Sequence, residues 1–250
     1  MKQLFNYLVF IGLALFLSCG SDKQGDVGVN SPSGINGSTS AFTVVGNYLY
    51  ILDGQNLQVW NVSTPSQPTL VTVFQTATSN PETIFGADSL LLVGTRSGVI
   101  FYSLANPENP VWLSTYSHIT SCDPVVAQGR YAYLTLRTGT PCQRGINLFE
   151  IVDFSNLQSP ISAFSINMNN PKGLAVNGNY AYVCENQGIQ VINVANPQNA
   201  SLLNRFGAFD GSDVIFYDNK LIITAKDGIY QYDVSNINTP IQLSRLLYSL

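Results

Sequence analysis

The chain has 250 residues, a formal net charge of −4, 45% apolar residues and only 10% charged ones. A chain of this length can form a single all-β unit, and a remainder rich in Asn, Ser, Thr, Gln and Gly is turn-rich β composition, not helix composition. No basic run offers the electrostatic footprint that nucleic acid requires, so that partner is excluded.

At the N-terminus, Lys2 precedes the apolar run of residues 5–18, FNYLVFIGLALFLS, which ends in small Ser18 before Cys19. The run is shorter than the roughly 20 apolar residues of a membrane span, and it reads as a signal peptide over residues 1–18 that is removed before folding. Residues 16–22, FLSCGSD, resemble a bacterial lipobox, with Phe16 where Leu is commonest. That resemblance implies acylation of Cys19 and a partner in the lipid membrane. Each buried acyl methylene contributes about 0.8 kcal/mol of membrane affinity, so two or three chains anchor stably. The expected address is the cell envelope, at the outer membrane or cell surface. Residues 20–40 hold almost nothing that could build a core, so residues 19–40 are expected to be a lipidated cysteine and flexible tether.

From residue 41 a period of about 40 residues appears, the mark of arrays and propellers. The segment 46–63, GNYLYILDGQNLQVWNVS, returns at 88–105, at 129–136 with 145–153, at 178–195 and at 218–235. Counted from Asn47, the equivalent residues are Ser89, Arg130, Asn179 and Asn219. Each copy continues through a Pro-rich turn into a further strand, so the unit is strand a, tight turn, strand b, loop, strand c, Pro turn, strand d. The dipeptides GN, DS, GR, GN and DN at the a-to-b junctions accept the positive φ of two-residue hairpins. Nearly continuous apolar runs such as 90–93 (LLLV) and 221–224 (LIIT) imply strands covered on both faces, as stacked blades provide. The predicted fold is therefore all-β, a five-bladed β-propeller of four-stranded antiparallel blades over 41–250, with blades at approximately 41–76, 77–118, 119–167, 168–207 and 208–250.

The strand c segments 188–198 (GIQVINVANPQ), 228–236 (GIYQYDVSN), 57–65 (LQVWNVSTP) and 98–110 (GVIFYSLANPENP) resemble the LVIVD repeat of bacterial propellers. The resemblance covers roughly residues 40–250 and implies an extracytoplasmic propeller without a catalytic motif. At the motif's acidic position stand Asp153 and Asp233, but Asn61, Ser103 and Asn193 in the other copies. All five are expected to hydrogen-bond the turn that follows.

In a propeller the d-to-a and b-to-c connections share one face. Here they carry the irregular and charged residues, and loops on a rigid scaffold are where recognition is expected. The candidate binding residues are Glu82, Arg96, His118, Asp123, Arg137, Arg144, Lys172, Glu185, Asp213 and Lys226. Of these, Glu82, Asp123, Lys172 and Asp213 fall near the start of strand a and would line the central channel. The expected activity is that of a binding or scaffold module for an envelope protein, a peptide or a glycan, with no cofactor. One alternative is a glycoside hydrolase using the channel carboxylates Glu82, Asp123 and Asp213, since two carboxylates suffice for that chemistry. A structural adhesion component is the other.

Cys122 and Cys142 both fall on the loop-rich face of the third blade, where an oxidising compartment makes a disulfide between them expected. Cys184 is expected to be a buried strand residue. With one histidine and no paired Cys-x-x-Cys spacing, neither a zinc site nor a nucleophilic triad is expected. Every blade is made of consecutive strands, so the ring cannot close through a shared strand. Closure as a monomer is expected from side chains, with Ile222, Tyr230 and Tyr232 of the last blade on Tyr48, Tyr50 and Trp60 of the first; the alternative is an open five-repeat arc that completes itself by dimerising.

Overall fold

A computed structural model describes residues 37–78, 80–118, 124–138 and 146–248. Twenty strands form five separate sheets, each of four consecutive antiparallel strands. Blade one holds β1 (Phe42–Val45), β2 (Tyr48–Asp53), β3 (Asn56–Asn61) and β4 (Thr69–Gln75). Blade two holds β5 (Pro81–Ala87), β6 (Leu90–Thr95), β7 (Gly98–Ser103) and β8 (Val111–Ser117). Blade three holds β9 (Val125–Gln128), β10 (Tyr131–Leu136), β11 (Leu148–Asp153) and β12 (Ile161–Asn167). Blade four holds β13 (Leu174–Asn177), β14 (Tyr180–Glu185), β15 (Gly188–Asn193) and β16 (Ser201–Phe206). Blade five holds β17 (Gly211–Tyr217), β18 (Lys220–Ala225), β19 (Gly228–Asp233) and β20 (Ile241–Leu247). The chain is thus a five-bladed β-propeller, with the blade order and strand count that the repeat predicts.

Local chemistry accounts for both turn types. The a-to-b hairpins place Gly46, Asp88, Gly129, Gly178 and the pair Asp218–Asn219 at positive φ, a conformation that Gly, Asn and Asp adopt most readily. In the c-to-d turns the side chains of Asn61, Ser103, Asp153, Asn193 and Asp233 each accept the backbone N–H two residues on, at 2.8–3.2 Å. Asp and Asn serve equally because the turn needs a short acceptor, not a charge.

Blades pack face to face at four interfaces. Strands a and b of each blade lie against strand a of the next: β1 and β2 on β5, β5 and β6 on β9, β9 and β10 on β13, β13 and β14 on β17. Three apolar clusters fill these contacts, one at blades one and two, one running from blade two to blade four, and one at blades four and five. Polar contacts reinforce them. Tyr50 donates its hydroxyl to the Pro107 carbonyl (2.8 Å) and Gln128 exchanges two hydrogen bonds with Gly178 (2.8 and 2.9 Å).

The fifth interface is different, and here the expected closure is corrected. Tyr230 and Tyr232 pack with Phe206 and Phe209 of the preceding connection and blade. Tyr48 and Tyr50 face blade two. Alternation along a strand sends neighbouring side chains to opposite faces, so residues committed to one neighbour cannot also cover the other. The third residue of strand b points to the following blade, and it is 0–2% exposed as Tyr50, Leu92, Tyr133 and Tyr182 but 39% exposed as Ile222. In strand a, the residue paired with the fourth residue of strand b points to the preceding blade. It is 0–1% exposed as Ile84, Val125, Leu174 and Val214 but 55% exposed as Phe42. Among the described residues, the facing sides of blades five and one are not packed together.

What joins them lies at the hub. The Ser38 and Thr39 hydroxyls donate to the Asp213 carboxylate at 3.0 and 2.7 Å, and the Thr39 N–H does so at 3.3 Å. The Ser38 Oγ also accepts the Leu174 N–H at 2.7 Å, while the Ser40 carbonyl accepts the Ile84 N–H at 2.9 Å. Residues 37–40 therefore bridge blades two, four and five across the axis. The tether expected to run to residue 40 gives way here to built structure. Its small residues suit the place, since a Cβ at Gly37 or at Gly173 would collide with the Asp213 carboxylate.

Candidate functional site

The first residues of the strand a segments converge on the axis and leave a cavity of about 380 Å³. All five blades or their entry segments line it: Thr39 from blade one, Glu82 and Thr83 from blade two, Pro124 and Arg137 from blade three, Lys172 and Gly173 from blade four, and Ser212 from blade five. Backbone bonds fix this floor. The Gly173 N–H donates to the Ser212 carbonyl (3.0 Å), the Lys172 N–H to the Cys184 carbonyl (2.8 Å), and the Thr135 hydroxyl to the Lys172 carbonyl.

Charges of both signs meet the cavity in pairs. Glu82 accepts a hydrogen bond from Arg96 Nε at 2.8 Å, with both side chains partly exposed. Lys172 is largely buried and paired with Asp210 of the connection entering blade five. Arg137 lines the wall at the end of β10. Of the predicted channel ring, the structure therefore places Glu82 and Lys172 on the cavity. It adds Arg137, Thr39, Thr83 and Ser212, of which only Arg137 had been singled out among the candidates.

Asp213 is near the axis but occupied. Besides Ser38 and Thr39, the Val214 N–H donates to it at 2.9 Å. Burial pushes its carboxyl pKa up, opposed by hydrogen bonds from Thr39, Val214 and Ser38. These donors use the lone pairs that a catalytic acid or base needs, and they give Asp213 a role in holding blade five to residues 37–40. Glu185 is buried in its blade, paired with Arg205 and accepting the Asn169 N–H at 2.9 Å. Lys226 is exposed in the turn after β18, its N–H donating to the Asp210 carbonyl at 2.9 Å. His118 lies after β8, its N–H bonded to the Ser97 carbonyl at 3.0 Å and its ring 6.2 Å from that of Tyr116. Cys184 is a buried free thiol whose pKa burial raises, as expected from its strand position. Cys19, Cys122, Asp123, Cys142 and Arg144 lie outside the described residues, and so does the disulfide expected between Cys122 and Cys142.

Sequence reasoning passed over Ser38 and Thr39 because polar residues beside glycines carry no periodicity. Their counterpart Asp213, an acid directly before the apolar run Val214–Phe216, was the available signal.

Comparison with known proteins agrees with the blade pattern. Residues 36–76 and 170–207 match the LVIVD repeat, which fall in blades one and four. No curated protein shows significant sequence similarity. Among solved structures, the computationally designed Ika8 protein is 14% identical, with a TM-score of 0.59 over 83% of this chain and 61% of that one. A protein from Lactobacillus plantarum is 13% identical, with a TM-score of 0.63 over 81% of this chain and 73% of that one. The periplasmic gluconolactonase PpgL of Pseudomonas aeruginosa is 13% identical, with a TM-score of 0.63 over 82% of this chain and 68% of that one. The chain thus spans about three fifths to three quarters of the length of these solved chains, and at such identities the likeness is one of fold.

Proposed function

For a five-bladed propeller with LVIVD repeats in two of its blades, we propose the role of an exported, lipid-anchored binding module that takes a polar ligand at the hub. The observation that carries this reading is the cavity to which all five blades contribute, with Glu82, Arg137 and Lys172 on its wall. Cavities of a few hundred Å³ with a small number of fixed polar groups are where proteins hold ligands. A wall bearing both signs of charge, next to hydroxyls of Thr39, Thr83 and Ser212, suits a segment with donors and acceptors along its length, either a peptide or a glycan. The export and anchoring rest on the apolar run before Cys19 and its lipobox-like surroundings.

The test pairs a ligand panel with a charge reversal. Short mixed-charge peptides and acidic oligosaccharides are screened by thermal shift against the native sequence and the double variant R137E/K172E. At least one probe should raise the native Tm and leave the variant's unchanged. A panel without effect, or one shifting both proteins equally, overturns the hub as the binding site. Metabolic labelling with palmitate, present in the native chain and lost in Cys19→Ser, tests the anchor separately.

A further inference from the structure

Residues 37–40, Gly-Ser-Thr-Ser, bring no apolar group larger than the Thr39 methyl to the hub. Their hold is polar: the Ser38 and Thr39 hydroxyls donate to the Asp213 carboxylate, the Leu174 N–H donates to Ser38 Oγ and the Ile84 N–H to the Ser40 carbonyl. The strands that receive them are held differently, with Ile84 and Leu174 fully buried in apolar clusters. Thr39 and Ser40 reach solvent, so water can replace their hydrogen bonds at small net cost. Separating apolar faces instead exposes surface that water penalises. The easiest opening at the hub is therefore the departure of residues 37–40 with the blades intact, a local event from the low-stability end of the fold.

We propose that residues 37–40 are a latch that sets the wall of the hub cavity, docking on Asp213 to complete it and undocking as a unit to open it. Two observations put the control at Asp213. Thr39 belongs to the cavity wall and donates to Asp213 through both its hydroxyl and its N–H, so the blade-one side of the wall stands while that contact holds. Gly37 and Gly173 leave no spare room around the carboxylate, since a Cβ on either would collide with it; the seat fits this segment closely. Undocking removes Thr39 from the wall and uncovers the Asp213 carboxylate beside Gly173 and Ser212, which adds an acid to a cavity that already has Glu82. A ligand that touches Thr39 binds the docked form and tightens the latch by the factor that docking adds to its own affinity. This regulatory role rests on the hub being the binding site, whereas the latch motion does not.

Amide exchange on the full chain without ligand tests the latch, separately from the ligand panel that tests the hub. In the native chain the Leu174 and Ile84 N–H groups should exchange about tenfold or more faster than the hydrogen-bonded amides of β10 and β11. Asp213→Ala alters neither amide nor its acceptor, yet both should speed up by about another tenfold while β10 and β11 stay unchanged. Ile84 decides the matter, because it lies in blade two and is linked to Asp213 of blade five through the segment and its Ser40 carbonyl. Thr39→Val, which removes one hydroxyl donor to the same carboxylate, should move both amides in the same direction by less. An Ile84 rate unmoved by Asp213→Ala shows that the segment does not leave as a unit and overturns the proposal. So do Leu174 and Ile84 exchanging no faster than blade three in the native chain, or blade three speeding up with them in the variant, since the segment then opens only with the whole propeller.

Discussion

Asp213 holds a charge that its surroundings oppose, and the donors around it set the balance. Burial raises its pKa above the ordinary carboxylate value of 3.8, while Thr39, Val214 and Ser38 pull it back. With the folded value above the unfolded one, the folded state binds the proton more tightly. The stability contributed by this group is therefore present below the unfolded pKa and is lost as pH rises through the folded pKa. Asp213→Ala leaves the Ser38 and Thr39 donors without their acceptor and should cost about 1.5–3 kcal/mol, the range for hydrogen bonds to a charged group, read from urea midpoints. Asp213→Asn removes the titration but keeps one acceptor. The advantage of the native chain over Asp213→Asn should shrink as pH rises above 4, and a gap that widens instead would show that the hydrogen bonds outweigh burial.

Elements were largely legible in the sequence because each blade repeats one pattern of turn residues and strand lengths, and the sites of failure were the places where repetition ends. Positive φ at Asp88 and Gly178 and the side-chain-capped turns at Asn61 and Asp233 followed from residue type alone. The open faces did not follow, because Phe42 and Ile222 look like any other core residue of their repeats; exposure depends on whether a neighbouring blade arrives, which no local pattern encodes. Glu82 and Lys172 were found on the cavity because charge at the start of strand a is unusual, whereas Glu185, equally charged, is turned into its own blade toward Arg205. The contrast between equivalent strand a positions is measurable. Ile84→Ala, in a position without solvent exposure, should destabilise by about 2–5 kcal/mol. Phe42→Ala, in the same register of blade one, should stay within about 0.5 kcal/mol in dilute solution, as exposed substitutions do. Equal losses at the two sites would mean that blade one is covered as fully as blade two.

At the scale of the molecule, five blades joined by four packed interfaces behave as a linear array, in which stability is a sum of blade and neighbour contributions. Among the described residues, blades two, three and four pack against a blade on both sides, whereas blades one and five pack against one blade each and share the hub bonds of Ser38 and Thr39. The ladders between strands b and c are equally complete in all five blades, so differences in local opening of these strands come from cover and not from the number of hydrogen bonds between them. Amide exchange resolves this, since it reports local opening free energies. In dilute solution β2, β3, β18 and β19 should exchange faster than β6, β7, β10, β11, β14 and β15. Adding Asp213→Ala releases the axial ends and should speed the terminal blades further while leaving β10 and β11 unchanged, because no hub bond from Asp213 reaches blade three. Uniform protection in all five blades would require the facing sides of blades five and one to meet in solution. Acceleration of β10 and β11 along with the ends would mean that the propeller opens as one cooperative unit, with Asp213 holding the whole of it and not the join alone.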